Sequence, residues 1–521
     1  MKQRITYILL QGHGIDPETI QTSNDTLTLA TAKDAAVEKR VTAGLSELPQ
    51  EIVTALNDVH ELHIRWTSRV NYDASSPFTS RLPPGLHVFF TPRKADADVN
   101  ICPLLHQLFS PDLKCDSISQ SFSSPPILSE RFSHSSSYQY FHPLPRVLQF
   151  QTYLARSVCG EFKGPCVREA ASLSYASYID IDFDAISHAV TMAAFWRAGI
   201  EAEAARTLPR KWREGDSLEV GVLQVEDADE PEELKMGGYL TVVGEDDGPS
   251  PTLFSFPSRH HPLPPSSPAT FSTNFQQPAG LHPKLDITFP SSQHLAPPKD
   301  SCALHAYLTL PSALFIDRYQ LSDPLFLASQ NLVTLHSLSG EQDLEAPDWV
   351  IKRWGSAALI ELTQPPSTNA SGGRDAKEWT VTIPTHLRYL QSLSDDANSN
   401  SSGRSTLDIP WPTVFWACEA EEGLKMSVNP FDRVNLGYDG LFGPKTMFYH
   451  IPPALPEGQA FLLETLEVPV LDPKQGAAWG VQIWTLVAVV LGFGWVLWPL
   501  VMSAGRGGEE GGQKKAGVKS E

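Results

Sequence analysis

Val481-Gln-Ile-Trp-Thr-Leu-Val-Ala-Val-Val-Leu-Gly-Phe-Gly-Trp-Val-Leu-Trp-Pro-Leu-Val501 is a run of 21 residues without a single charge, in a chain that is otherwise acidic and soluble in character. That length crosses a bilayer once as a helix. Trp479 and Trp484 lie at or near one end and Trp495 and Trp498 near the other, where indoles settle at membrane interfaces. Behind the run comes a tail carrying Arg506, Lys514, Lys515 and Lys519, whereas the residues just before it offer only Asp472 and Lys474. The positive-inside bias therefore puts the tail in the cytosol and everything before Trp479 on the far side.

Working outward, three sequons, at Asn24, Asn369 and Asn400, suit a lumenal body, and the last two fall in Ser/Gly-rich, loop-like stretches. Six cysteines suit an oxidising compartment. Six allow fifteen pairings, so connectivity stays open; Cys159 with Cys166 is the natural local pair and Cys302 with Cys418 the long-range one, against the alternative of buried reduced thiols. The N-terminus, Met1-Lys-Gln-Arg-Ile-Thr-Tyr-Ile-Leu-Leu, is too short in apolar residues for a signal peptide and reads as a first strand. Either the C-terminal helix directs insertion or a leader is missing from the sequence; a cytosolic body with a tail anchor is the alternative.

With 521 residues, 41% hydrophobic and 19% charged, the chain can build packed cores. A formal net charge of −20 argues against nucleic acid as a partner. The 43 prolines and short alternating runs such as Glu61-Leu-His-Ile-Arg-Trp and Leu304-His-Ala-Tyr-Leu-Thr-Leu predict a mostly β body, sandwich-like, with a few helices such as one around Ala185 to Ala198. Residues 246–279, rich in Pro, Ser and Gly, predict a semi-extended linker between an N-terminal region, 1–245, and a second domain, 280–472; the membrane helix takes 480–502 and the tail 503–521. A Ser-rich patch from Ser117 to Ser137 predicts a long loop.

The second domain carries five ordered blocks: Gly280-Leu-His282-Pro-Lys-Leu; Leu310-Pro311-Ser-Ala-Leu-Phe-Ile-Asp317-Arg-Tyr319-Gln-Leu; Asp343-Leu-Glu345-Ala-Pro347-Asp-Trp; Ile383-Pro-Thr-His386-Leu-Arg388-Tyr; and Pro412-Thr-Val-Phe-Trp-Ala-Cys418. In this order, followed by one membrane helix, they resemble the PIG-X family, and the long N-terminal region resembles its fungal branch. Ser312-Ala313 stands where short forms of the family have Gly, and Arg318 where they have Pro. The resemblance implies a noncatalytic subunit of glycosylphosphatidylinositol (GPI) mannosyltransferase I in the endoplasmic reticulum membrane. Its partner would be the multi-spanning catalytic subunit that adds the first mannose from dolichol-phosphate-mannose. A general chaperone-like role for lumenal and membrane proteins is the alternative that the fungal branch implies.

The chemistry of the residues agrees with a noncatalytic reading. One span cannot form the multi-helix cavity in which a lipid-borne sugar donor meets a glycolipid acceptor. Asp180-Ile-Asp182-Phe-Asp184 has the spacing of a carboxylate pair that holds a divalent ion, yet no Gly-rich phosphate loop accompanies it, so it reads as a solvated acidic strand face. His60-Glu61-Leu62-His63 has its histidines three apart rather than the four of a helical zinc protease, and reads as a strand. No Gly-x-Ser-x-Gly elbow occurs, and His260-His261 sits among prolines of the expected linker. No catalytic, cofactor or metal residue is assigned. His386 and Arg388, two apart on a predicted strand, point the same way and with Asp317 suggest a structural polar network or a partner contact. In the anchor, Gln482, Thr485, Ala488 and Gly492 share one helical face whose small residues let another helix approach.

Overall fold

A computed structural model describes residues 1–9, 15–24, 26–29, 35–94, 99–126, 138–160, 164–199, 210–212, 215–264, 267–365, 378–392, 404–421, 426, 429–431, 437–470 and 477–506. The chain divides into two compact units, Met1–Tyr389 with Leu407–Leu466, and Leu390–Thr406 with Glu467–Glu521.

The first unit is mostly β, as its alternating sequence predicts. Ten strands form one sheet in the spatial order Ser250–Pro257, Glu233–Val242, Ser217–Glu226, Lys2–Leu9, Ala36–Gly44, Ala189–Trp196, Tyr178–Asp184, Val59–Thr67, Gly85–Pro92 and Tyr138–His142. Lys2–Leu9 is indeed a strand, pairing in parallel with Ser217–Glu226 and antiparallel with Ala36–Gly44. A six-stranded sheet follows the order His260–Pro262, Thr446–His450, Thr413–Glu419, Ala303–Pro311, Gly355–Leu362 and Leu332–Gly340. Buried side chains of both sheets meet in one apolar core, in which Val88, Phe90 and Tyr140 of the first join Tyr307, Leu359 and Phe415 of the second. Two polar contacts cross that seam: Gln139 Nε2 donates to the Tyr307 hydroxyl at 2.9 Å, and Trp354 Nε1 to the Gln139 carbonyl at 3.1 Å, whereas the buried Tyr140 hydroxyl has no hydrogen-bond partner.

Two expectations are corrected. Ala185–Ala198 is not a helix: residues Ala189–Trp196 form a strand between Ala36–Gly44 and Tyr178–Asp184. Its alanines favour a helix in isolation, but tertiary pairing on both edges overrides that weak preference. The reversal is set by Asp184, whose carboxylate accepts from the Ile186 amide at 2.9 Å, and by His188 in a left-handed conformation at φ 51°. Residues 246–279, expected as a semi-extended linker, contain the strands Ser250–Pro257, His260–Pro262 and Ser272–Phe275. Prolines bar a central strand but not an edge one, and Ser250–Pro257 and His260–Pro262 each close the edge of a sheet. His260 and His261 are accordingly buried, stacked on Phe448 and Tyr449, with His260 Nδ1 at 2.9 Å from His450 Nε2.

In the second unit, Ala477–Arg506 is one helix, and its apolar span Trp479–Met502 has 24 residues. At 1.5 Å per residue it reaches roughly 36 Å, enough for the ~30 Å hydrocarbon core.

Candidate functional site

Four of the five sequence blocks meet around the short ladder that carries Phe315 and His386. Leu314–Phe315 pairs with His386–Leu387 as a short two-stranded ladder, with Phe315 opposite His386. Beside it, the Leu387 amide donates to the Leu281 carbonyl at 3.0 Å and the Thr385 amide to the Pro283 carbonyl at 3.0 Å, which fixes the first block against the fourth. The third block closes on the fourth where the Asp348 amide donates to the Tyr389 carbonyl at 3.0 Å.

His386 and Arg388 do point the same way. The His386 imidazole stacks on Phe315, centroids 5.3 Å apart, and the Arg388 guanidinium lies 4.4 Å from the same ring's centroid. Arg388 is buried, and its Nε donates to the Ser312 carbonyl at 3.0 Å and its Nη1 to the Ala346 carbonyl at 2.9 Å. It forms no ion pair among the described residues, and its Nη2 is a buried donor without a hydrogen-bond partner. Burial lowers its pKa despite the charges of Glu341, Asp343 and Asp348. His386 Nε2 lies 3.0 Å from Gln320 Oε1 and its Nδ1 2.9 Å from His282 Nδ1, a chain of hydrogen bonds. Burial, then the charge of His282, lowers the His386 pKa.

Asp317 is not a member of this network by hydrogen bonding. Its carboxylate accepts from the Tyr319 amide at 2.8 Å and so shapes its own turn. The departures from the short family forms have local work: the Ser312 hydroxyl donates to Asp348 Oδ1 at 2.6 Å, and Arg318 Nη1 to Gln342 Oε1 at 3.0 Å. Glu345 is exposed, but its amide, with that of Ala346, donates to Asp343, which holds that carboxyl below its usual range. Pro347 precedes the single 3-10 turn Asp348–Val350, and Pro311 ends its strand opposite Gly355. Gly355 has φ 142°, and a side chain there would collide with the Leu310 carbonyl.

Several large apolar side chains of these blocks and their connections are open to solvent. Of thirteen exposed large apolar side chains that precede the C-terminal helix among the described residues, eight fall between Leu281 and Tyr389. Tyr319 is 70% exposed, Tyr389 65% and Trp349 55%. Aromatic side chains of this kind are the anchors of protein interfaces.

The remaining candidates fall elsewhere. Cys159 is bonded to Cys166 and Cys302 to Cys418; a third bond, Cys102–Cys115, was not among the expected pairs. Asn24 is exposed in the turn between Ile20–Thr22 and Leu27–Leu29, while Asn369 and Asn400 lie outside the described residues. Gln482, Thr485, Ala488 and Gly492 lie exposed on the C-terminal helix, and the Thr485 hydroxyl donates to its own helix at the Val481 carbonyl, 2.8 Å away.

The acidic strand is not solvated, which corrects that reading. Asp180 is 2% exposed and takes both ends of the Arg65 guanidinium at 2.6 Å, while Asp182 meets His63 Nδ1 at 2.8 Å. The cause is register: Arg65 lies opposite Asp180 and His63 opposite Asp182 on the neighbouring strand. Burial opposes the charge on His63, but the hydrogen bond and charge of Asp182 win and raise its pKa.

Residues 278–501 match the family described as PIG-X / PBN1. The chain is 46% identical to Protein pbn1 of Emericella nidulans over 522 residues, covering 97% of this chain and 96% of that one. It is 43% identical to Protein pbn1 of Aspergillus oryzae, over 96% of each chain, and 31% identical to Protein PBN1 of Saccharomyces cerevisiae over 45% of this chain and 49% of the relative. The five ordered blocks and the two relatives matched over nearly their whole length place the chain in the PIG-X / PBN1 family, which is associated with GPI-anchor biosynthesis.

Proposed function

We propose that this chain is a noncatalytic, stabilising subunit of GPI mannosyltransferase I, held in the endoplasmic reticulum membrane by its C-terminal helix with the body in the lumen and the tail in the cytosol. The observation that carries the reading is the surface around Phe315, where conserving the backbone geometry takes four separate blocks and the outcome is a display of Tyr319, Trp349 and Tyr389 to solvent. A buried arginine that serves carbonyls instead of a carboxylate shapes a platform; it does not run chemistry.

The partner would be the multi-spanning catalytic subunit, whose lumenal loops meet these aromatics while a helix of its own packs on the Gln482, Thr485, Ala488 and Gly492 face. Membrane contacts of that kind contribute about 1 kcal/mol each. A surface that binds only the folded partner stabilises it by mass action. Three disulfides favour an oxidising compartment, and exposed Asn24 is open to a glycan.

The test is depletion of this chain, followed by separate measurement of the abundance of the multi-spanning mannosyltransferase and of its turnover per molecule. The expected result is a loss of abundance with unchanged turnover. Normal abundance with reduced turnover contradicts a stabilising subunit, and a scatter of substoichiometric clients with the transferase unaffected favours the chaperone-like role.

A further inference from the structure

We propose that His305, His336 and Glu361 form a divalent-metal site suited to zinc, near the Leu332–Gly340 edge of the six-stranded sheet and on the same face as Tyr307, Leu359 and Phe415. The three residues come from adjacent strands, Ala303–Pro311, Leu332–Gly340 and Gly355–Leu362, and one ligand atom of each lies within 4.8 Å of the other two. His305 and Glu361 are direct cross-strand partners and so share a face. His336 joins them through a bulge, since the ladder slips a residue between Leu335 and Ser337. Bulges re-aim side chains in this way.

Two features favour a ligand over a chance cluster. His305 Nδ1 lies 3.0 Å from the Ala303 carbonyl, which commits that nitrogen as donor and leaves the other to coordinate, the arrangement in which metal-binding histidines are oriented. The ring is also immobilised, stacked on Phe415 at 5.8 Å and edge-on to Phe442 at 5.1 Å.

The separations, from 2.8 Å up to at most 4.8 Å, bracket those around a small ion. Tetrahedral zinc with bonds of ~2.0–2.2 Å places its ligand atoms roughly 3.3–3.6 Å apart. His336 Nε2 and Glu361 Oε2 are 2.8 Å apart, a hydrogen bond that the ion would replace through a small rotation of the His336 side chain, which is 37% exposed. Two imidazoles and one carboxylate are a zinc donor set, and the partial exposure of His336 and Glu361 lets water supply a fourth ligand. Because Leu332–Gly340 is the outermost strand of its sheet, a bound ion would clamp that edge to its two inner neighbours.

The experiment uses the full chain in detergent, purified through a tag without histidine, stripped with a chelator and titrated with zinc alone. One equivalent is expected to bind and to raise the unfolding temperature, and cobalt in its place is expected to give the visible absorption of a tetrahedral site. His336→Ala and Glu361→Gln should each weaken zinc by more than the ~10–100-fold that disturbing an outer-shell partner costs. His336 is exposed and Glu361 partly so, and an unchanged metal-free unfolding temperature shows that the variants fold. His282→Ala, which breaks the hydrogen-bonded pair with His386, should leave zinc binding intact. No stoichiometric zinc, equal binding by His336→Ala, or loss of binding in His282→Ala alone overturns the site.

Discussion

Arg65 and Arg388 are both buried, and they solve the same problem in opposite ways. Arg65 is neutralised by a two-ended bond to Asp180 in the ten-stranded sheet and lies 4.4 Å from the Tyr178 ring centroid, a closed unit that faces nothing outside the fold. Arg388 has two carbonyls and the Phe315 ring but no carboxylate bond among the described residues, and the next residue in the chain is the exposed Tyr389. A buried charge with its counterion is an internal matter of stability. One that instead ties loops together by their carbonyls spends its energy on the shape of a surface, which is what a docking platform needs.

Removing one partner of the closed pair should have the largest effect. Arg65→Ala strands the Asp180 carboxylate in the core and should cost about 3–5 kcal/mol, seen as a large fall in the unfolding temperature of the purified chain. The double variant Arg65→Met with Asp180→Asn should recover much of that loss; no recovery would break the assignment of the pair as self-contained.

Acid should separate the two regions next. Burial holds His87, in the same sheet as Arg65, down to about 4, whereas an unfolded histidine titrates near ~6.5. Between those values the unfolded chain binds the extra proton and the folded one does not, so stability is full above pH ~6.5 and falls as the pH drops toward 4. The cost approaches roughly 3 kcal/mol at the acid end. His87→Gln should flatten the dependence of unfolding temperature on pH, while His386→Gln, at a half-exposed position, should change it far less.

Arg388→Ala should be milder than Arg65→Ala, about 1–3 kcal/mol, because it frees two carbonyls rather than a charge. Arg388→Lys should not restore it, since an ammonium cannot hold both carbonyls and cover the ring as a planar guanidinium does. Equal losses for Arg65→Ala and Arg388→Ala would erase the contrast between the two.

Much of this was legible in the chain. The strands Val59–Thr67 and Ala303–Pro311 follow from alternation, the membrane helix from its 21 uncharged residues, and the common side of His386 and Arg388 from a period of two. Pairing across distance was not. Asp180 looks solvated until the register sets Arg65 opposite, and Ala189–Trp196 looks helical until neighbours on both edges claim its backbone. His260 and His261 look like linker because proline-rich composition hides an edge strand. The trio of His305, His336 and Glu361 depends on a bulge that no local pattern announces. Phe315 lay within a quoted block, and its role as the ring on which His386 and Arg388 meet required the ladder.

The most direct measurement replaces Trp349 and Tyr389 with alanine together in the full chain and records two quantities: the chain's own unfolding temperature and the steady-state abundance of the multi-spanning mannosyltransferase. Exposed side chains away from the core should change stability by no more than about 0.5 kcal/mol each. The account predicts an almost unchanged unfolding temperature with a marked fall in partner abundance. A partner at normal abundance beside a stably folded double variant would contradict the claim that this surface is where the subunit docks.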